Sequence, residues 1–175
     1  MRALLHWVYC LPLEQAVVLA LCATGVFLWL RHRFEGKKWW IAAQIGLLVC
    51  WFGVVLAETF LMGRVAGGST VSLVPLQSYI TVLQGGEQEL IRSGFMNVLM
   101  FYPGALIVRS LWRRCKMGWL LLIFGGLSLT IELLQLCFGL GTFETDDLIH
   151  NTLGAFLGIL AARQYEKNMQ KTEAT

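Results

Sequence analysis

Glu132 and Gln135 stand three residues apart, and Asp147, Asn151, Gly154 and Gly158 follow at steps of four, three and four, so each set lies along one helical face. Both sets sit in sequence that otherwise reads as membrane-spanning. A bare charge at that depth costs about 2.5–3.5 kcal/mol on insertion scales, so Glu132 and Asp147 must be paired, hydrogen-bonded or used. Three kinds of chemistry are open to them. With Gln135 and Asn151 they can bind the polar part of an amphiphile. As two carboxyls in different surroundings, Glu132 and Asp147 are also the candidate acid and base of a membrane-embedded enzyme. Finally, such groups can hold helices together by hydrogen bonds worth about 0.6 kcal/mol and up to 1–2 kcal/mol. No nucleophile or metal signature accompanies them, and two carboxylates are few ligands for a divalent cation, so neither a metal nor a cofactor is expected.

Ser128, four residues before Glu132, extends the polar patch. Asp146 and Asp147 open a helix directly after Thr145, where acids also suit the positive end of the helix dipole. His150 reads as a helix-pairing or interfacial histidine. No basic residue stands in Phe138–Thr145, so the counter-charge must come from elsewhere. Arg92 and Arg64 are the candidates, Arg92 being five residues before Asn97 at the start of a span. The alternative for both is a solvated or headgroup-bound arginine.

These side chains need an apolar scaffold, and the composition supplies one. The 175 residues are 57% hydrophobic and 14% charged, with a mean hydropathy of +0.63, which is too apolar for an ordinary soluble domain. The expected fold is all-α, a polytopic helix bundle forming a single domain over residues 1–175. Its five spans are placed at about 13–30, 39–60, 95–111, 118–138 and 147–162, with an extracytoplasmic loop between the second and third. Within that loop, Val71–Leu83 is apolar but too short to span and reads as an interfacial or re-entrant piece. Pro103-Gly104 interrupts the third span and should kink it. Of the 14 Lys and Arg residues, all but Arg2, Arg64 and Arg92 fall on one side of this topology. The positive-inside rule then places the N-terminus outside and the C-terminus in the cytoplasm. The net charge of +3 is explained by that asymmetry, and nucleic acid is not an expected partner. Five cysteines show neither CxxC nor a histidine pair and read as small buried hydrophobes.

The segments IELLQ (Ile131–Gln135) and DDLIHNTLGAFLG (Asp146–Gly158) are joined upstream by VSLVP (Val71–Pro75) and NVLMFYPGALI (Asn97–Ile107). Together they resemble the VanZ-like family of small bacterial membrane proteins. The resemblance implies a multi-pass protein of the bacterial cytoplasmic membrane. It also implies a contribution to glycopeptide resistance, notably to teicoplanin. Membrane lipid, a lipid-linked cell-wall precursor or a lipoglycopeptide antibiotic are then the expected partners, engaged by the polar site in the outer leaflet.

The topology is open to a direct check by cysteine labelling in a background lacking the native cysteines. An impermeant reagent added outside should modify Gly68→Cys and leave Gly36→Cys untouched. The reverse pattern would overturn the orientation and the outer-leaflet site with it.

Overall fold

Long stretches of this chain are apolar on almost every side, and in a membrane such a backbone can satisfy its own N–H and C=O groups only by coiling into helices. The computed structural model describes residues 12–60, 70–87 and 89–173. Its elements run α1 (Leu13–Phe34), α2 (Lys38–Phe60), β1 (Val71–Ser72), α3 (Gln77–Leu83), α4 (Glu89–Leu111), α5 (Met117–Cys137), β2 (Phe143–Glu144) and α6 (Thr145–Glu173). Within the described residues, four helices are long and apolar enough to cross a membrane: residues 13–34, 38–59, 89–111 and 117–137. The chain is an all-α, multi-pass membrane bundle. The fifth expected span, 147–162, falls inside α6, which is less apolar because its first turns carry Asp146, Asp147, His150 and Asn151, all turned inward and buried.

Two boundaries differ from the sequence reading. Helix α4 starts at Glu89 rather than Phe95, with an acid in its first turn where the dipole favours one. Helix α6 runs to Glu173 rather than stopping at Ala162, since Gln, Glu, Lys and Met in the expected tail are good helix formers.

The most extensive helix pairing is that of α4 with α6. A Cβ added at Gly154 would lie 2.2 Å from the Val98 carbonyl oxygen, and one at Gly158 would lie 2.2 Å from that of Tyr102. The two glycines therefore seat α6 directly on the backbone of α4. The short connection between α5 and α6 predicts that this glycine face meets α5, and the structure seats it on α4 instead. Asp147, Gly154 and Gly158 point to α4, whereas Asn151 lies at the margin of the stripe and reaches Ser128 of α5.

Pro103 does not break α4, which is continuous around it. Helix α2 fills the weak point. Trp51 donates from its indole nitrogen to the Met100 carbonyl at 2.7 Å, and its ring occupies the space that any side chain at position 104 would need. The same ring meets Phe101 and Phe124 edge-on, with centroids 6.1 Å and 5.9 Å away, at the centre of a core completed by Val55, Leu120, Ala155 and Ile159. Three of the described cysteines, Cys22, Cys50 and Cys137, lie on the bundle surface instead of in this core.

At one end of the bundle, Glu166 of α6 binds Arg31 of α1 and Arg109 of α4, at 2.9 Å and 2.7 Å. At the other end the connections fold back over the helices. The apolar segment of the α2–α4 connection becomes β1 and the short helix α3, and β1 pairs in parallel with β2, Val71 opposite Phe143 and Ser72 opposite Glu144.

Gly158→Ala should cost about 1–3 kcal/mol, because backbone rather than a flexible side chain blocks the new methyl group. Gly126→Ala, with nothing within 4 Å, is the control and should be close to neutral. Thermal unfolding in detergent compares them; coincident melting curves would mean that α4 and α6 do not approach this closely.

Candidate functional site

The start of α6, the end of α5 and the start of α4 meet at the end opposite the arginine pair, and the polar residues singled out in the sequence converge there. Glu132, 2% exposed near the end of α5, accepts a hydrogen bond from the Glu144 amide of β2 at 3.2 Å. Asp147, in the first turn of α6, accepts one from Asn97 Nδ2 of α4 at 2.6 Å. Asn151, one turn further on, donates to Ser128 Oγ of α5 at 2.9 Å. Glu132, Asp147, Asn97, Asn151 and Ser128 thus belong to one buried region where three helices join. In these bonds Glu132 and Asp147 reach separate partners.

Gln135 is half-buried at the last turn of α5, where its backbone carbonyl accepts the Leu140 amide. Arg92 lies on α4 and forms an i,i+3 contact with Glu89 at 3.5 Å. Arg64 falls outside the described residues.

Asp146 has a role different from the one its position suggested. Instead of capping α6, its carboxylate receives the Leu76 and Ser78 amides, the second at 2.9 Å. Leu76 has φ 61°, a left-handed conformation that costs a side-chain-bearing residue on the order of 1–3 kcal/mol unless its surroundings impose it. Two charge-assisted bonds from one carboxylate impose it here. His150, on the next turn, is buried; its Nε2 lies 2.9 Å from the Tyr79 hydroxyl of α3, and its ring fills the space above Gly94 of α4. It pairs helices, and it also borders the site.

Between these elements is a cavity of roughly 240 Å³ lined by Ser78, Glu87, Ser93, Glu144, Asp147 and His150, among others. Among the described residues no group of three or more His, Cys, Asp or Glu side chains is arranged to hold a metal ion. Tyr79, Ser78 and Ser93 carry no sequence signal of their own and enter the site through the fold of the connection. Gly94 did have a signal: Gly94, Asn97 and Phe101 are spaced three and four apart, the stripe along which α4 meets α6.

Replacing Asp146 with alanine removes the acceptor for two backbone amides, each costing about 1–3 kcal/mol if buried and unsatisfied. The 70–87 segment should then open far more readily, which limited proteolysis of the purified protein reads as faster cleavage within it. Cleavage at the wild-type rate would show that something other than Asp146 holds the turn.

A family model described as VanZ/LLP1 matches residues 17–165, a stretch that includes every side chain of this region. Searches of curated proteins and of solved structures returned no match. From its sequence match along nearly its whole length, the chain belongs to the VanZ/LLP1 family.

Proposed function

We propose that this protein works in the bacterial cytoplasmic membrane, N-terminus outside and C-terminus cytoplasmic, by holding the polar part of a lipid-bearing ligand at the acid-rich end of the bundle. The observation that carries the reading is the cavity beside Asp147, which is lined by acidic residues, two serines and His150. Carboxylates accept hydrogen bonds and donate none when ionised, so the ligand class is one that offers hydroxyl or amine donors. At roughly 240 Å³ the cavity is smaller than the 300–1,000 Å³ typical of sites that enclose a drug-sized molecule. A headgroup or the terminal sugar of a lipid-linked precursor fits that size; a whole glycopeptide does not. An antibiotic carrying a lipid chain would be engaged through one part only. The basic residues at the opposite end support the orientation, which puts the cavity on the outer side.

In this reading Asp147 is the ligand-facing acid, Asn97 sets its position from α4, and Glu132 secures the strand that walls the site. Arg92 or Arg64 supplies compensating charge to the acids. Glycopeptide tolerance then arises from competition for, or remodelling of, lipid-linked material at the outer surface.

Teicoplanin susceptibility tests the proposal in a strain lacking the gene and re-expressing either wild type or Asp147→Asn. Wild type should restore tolerance and the variant should not, at equal accumulation in the membrane. Unchanged susceptibility to teicoplanin and every other cell-envelope agent would remove the resistance role. Mass spectrometry of the membrane lipids in the same strains covers chemistry at the site: profiles altered by wild type but not by Glu132→Gln would replace binding with catalysis.

A further inference from the structure

The end of the bundle opposite the acid-rich site holds a second polar group, built from residues that the charge asymmetry alone had accounted for. Arg31 is 1% exposed and Arg109 7%, and Ser110 beside Arg109 is buried as well. Glu166 takes one nitrogen from each arginine, and Arg109 Nη1 donates to the Trp112 carbonyl at 3.1 Å. One carboxylate cannot serve two guanidinium groups, which carry five N–H donors each. Accordingly Arg31 Nε and Nη1, Arg109 Nε and Ser110 Oγ are buried without a hydrogen-bond partner among the described residues.

Unmet donors of this kind are costly, and more so on charged groups. The charges do not balance either: Arg31, Arg109 and Arg113 face Glu166 and Glu35, Arg113 pairing with Glu35. Two cavities of about 340 Å³ each flank Arg31, one bordered by Arg109, Tyr165 and Glu166, the other by Trp40, Gln44 and Ser110. The Arg31 guanidinium lies 5.2 Å from the centre of the Tyr165 ring. Burial raises the Tyr165 phenol above its ordinary pKa, so it stays a neutral donor.

Depth identifies what can reach the cluster. Trp29, Trp39, Trp112 and Trp119 are exposed around this end, and in membrane proteins such a belt marks the level of the headgroups. Arg31 is two residues from Trp29, and Arg109 is tied to Trp112 directly. The cluster therefore lies where lipid phosphates lie.

We propose that the cavity bordered by Arg31, Trp40, Gln44 and Ser110 is a binding site for a phosphate-bearing anion, separate from the acid-rich site, with Arg109 adding positive charge from the far side of Arg31. A guanidinium matches a phosphate through parallel N–H donors and stays charged when buried. Basic pockets between membrane helices are suited to anionic headgroups, and a free phosphate offers the same chemistry from the water side.

Full-length protein purified in detergent is examined by native mass spectrometry and thermal unfolding. The probes are phosphatidic acid against phosphatidylcholine, and inorganic phosphate against chloride at equal ionic strength. Phosphatidic acid or inorganic phosphate should bind the wild type and raise its unfolding temperature. Arg31→Lys keeps a charge opposite Glu166 but loses the planar fork, and should weaken binding about ten-fold. Ser110→Ala leaves both ion pairs intact and should weaken it several-fold, which keeps the test valid if the lysine variant folds poorly. Inorganic phosphate that competes with the lipid identifies a soluble anion as the source; stabilisation by the lipid alone identifies a headgroup. Absence of any preference for the phosphate-bearing probes, or equal binding by wild type and Ser110→Ala, overturns the proposal.

Discussion

The rest of the structure depends on the contact of two backbones at Gly154 and Gly158, where the Val98 and Tyr102 carbonyls of α4 occupy the space that side chains on α6 would fill. In lipid there is little hydrophobic gain from bringing two helices together, so close van der Waals packing has to supply the attraction, and small residues permit it. The stripe extends in both directions at steps of four. His150 stands against Gly94 at one end of it and Glu166 against Arg109 at the other, with the fully buried Ala162 between Gly158 and Glu166. One interface thus sets the position of α4 in both polar regions, which lie at opposite ends of the same helix pair. A shift between α4 and α6 would disturb Asp147 with Asn97 and Arg109 with Glu166 together.

Adjacent acids on α6 do different work because successive residues on a helix point about 100° apart. Asp147 faces α4 and the cavity, whereas Asp146 faces the α2–α4 connection and receives two of its backbone amides. Glu132 does for β2 what Asp146 does for the turn at Leu76. A segment lying over the end of a membrane bundle has few side-chain contacts to hold it, and its backbone donors still require acceptors. Carboxylates at the helix ends meet that need, Glu132 holding β2 directly and Asp146 holding the turn that follows β1.

At the other end the arrangement inverts, with a carboxylate in the minority among guanidiniums. A buried ion pair gains little net stability when desolvation is set against attraction, though removal of one partner is costly. Arg31 and Arg109 are therefore better understood as fixed charges held in place by Glu166 than as a source of stability. Trp51 packs against the proline-bearing part of α4, donating to the Met100 carbonyl and filling the groove beside Gly104.

Much of this was legible in the residues themselves. Apolar run lengths located every long helix, and helical spacing identified Glu132, Asp147 and Asn151 as inward-facing, with Ser128 alongside, because both depend on local periodicity that any chain of this composition must obey. Asn97 was flagged by the family pattern and found opposite Asp147. Which helix the glycines would meet was not legible: a short connection makes α5 and α6 neighbours in sequence, yet the closest approach goes to whichever backbone offers a matching groove, and that was α4. The pairing of β1 with β2, the left-handed turn at Leu76 and the seat of Glu166 between two distant arginines were equally hidden. Each joins residues more than fifty positions apart, or depends on one that does, and local spacing carries no information about contacts that exist only once the helices have packed.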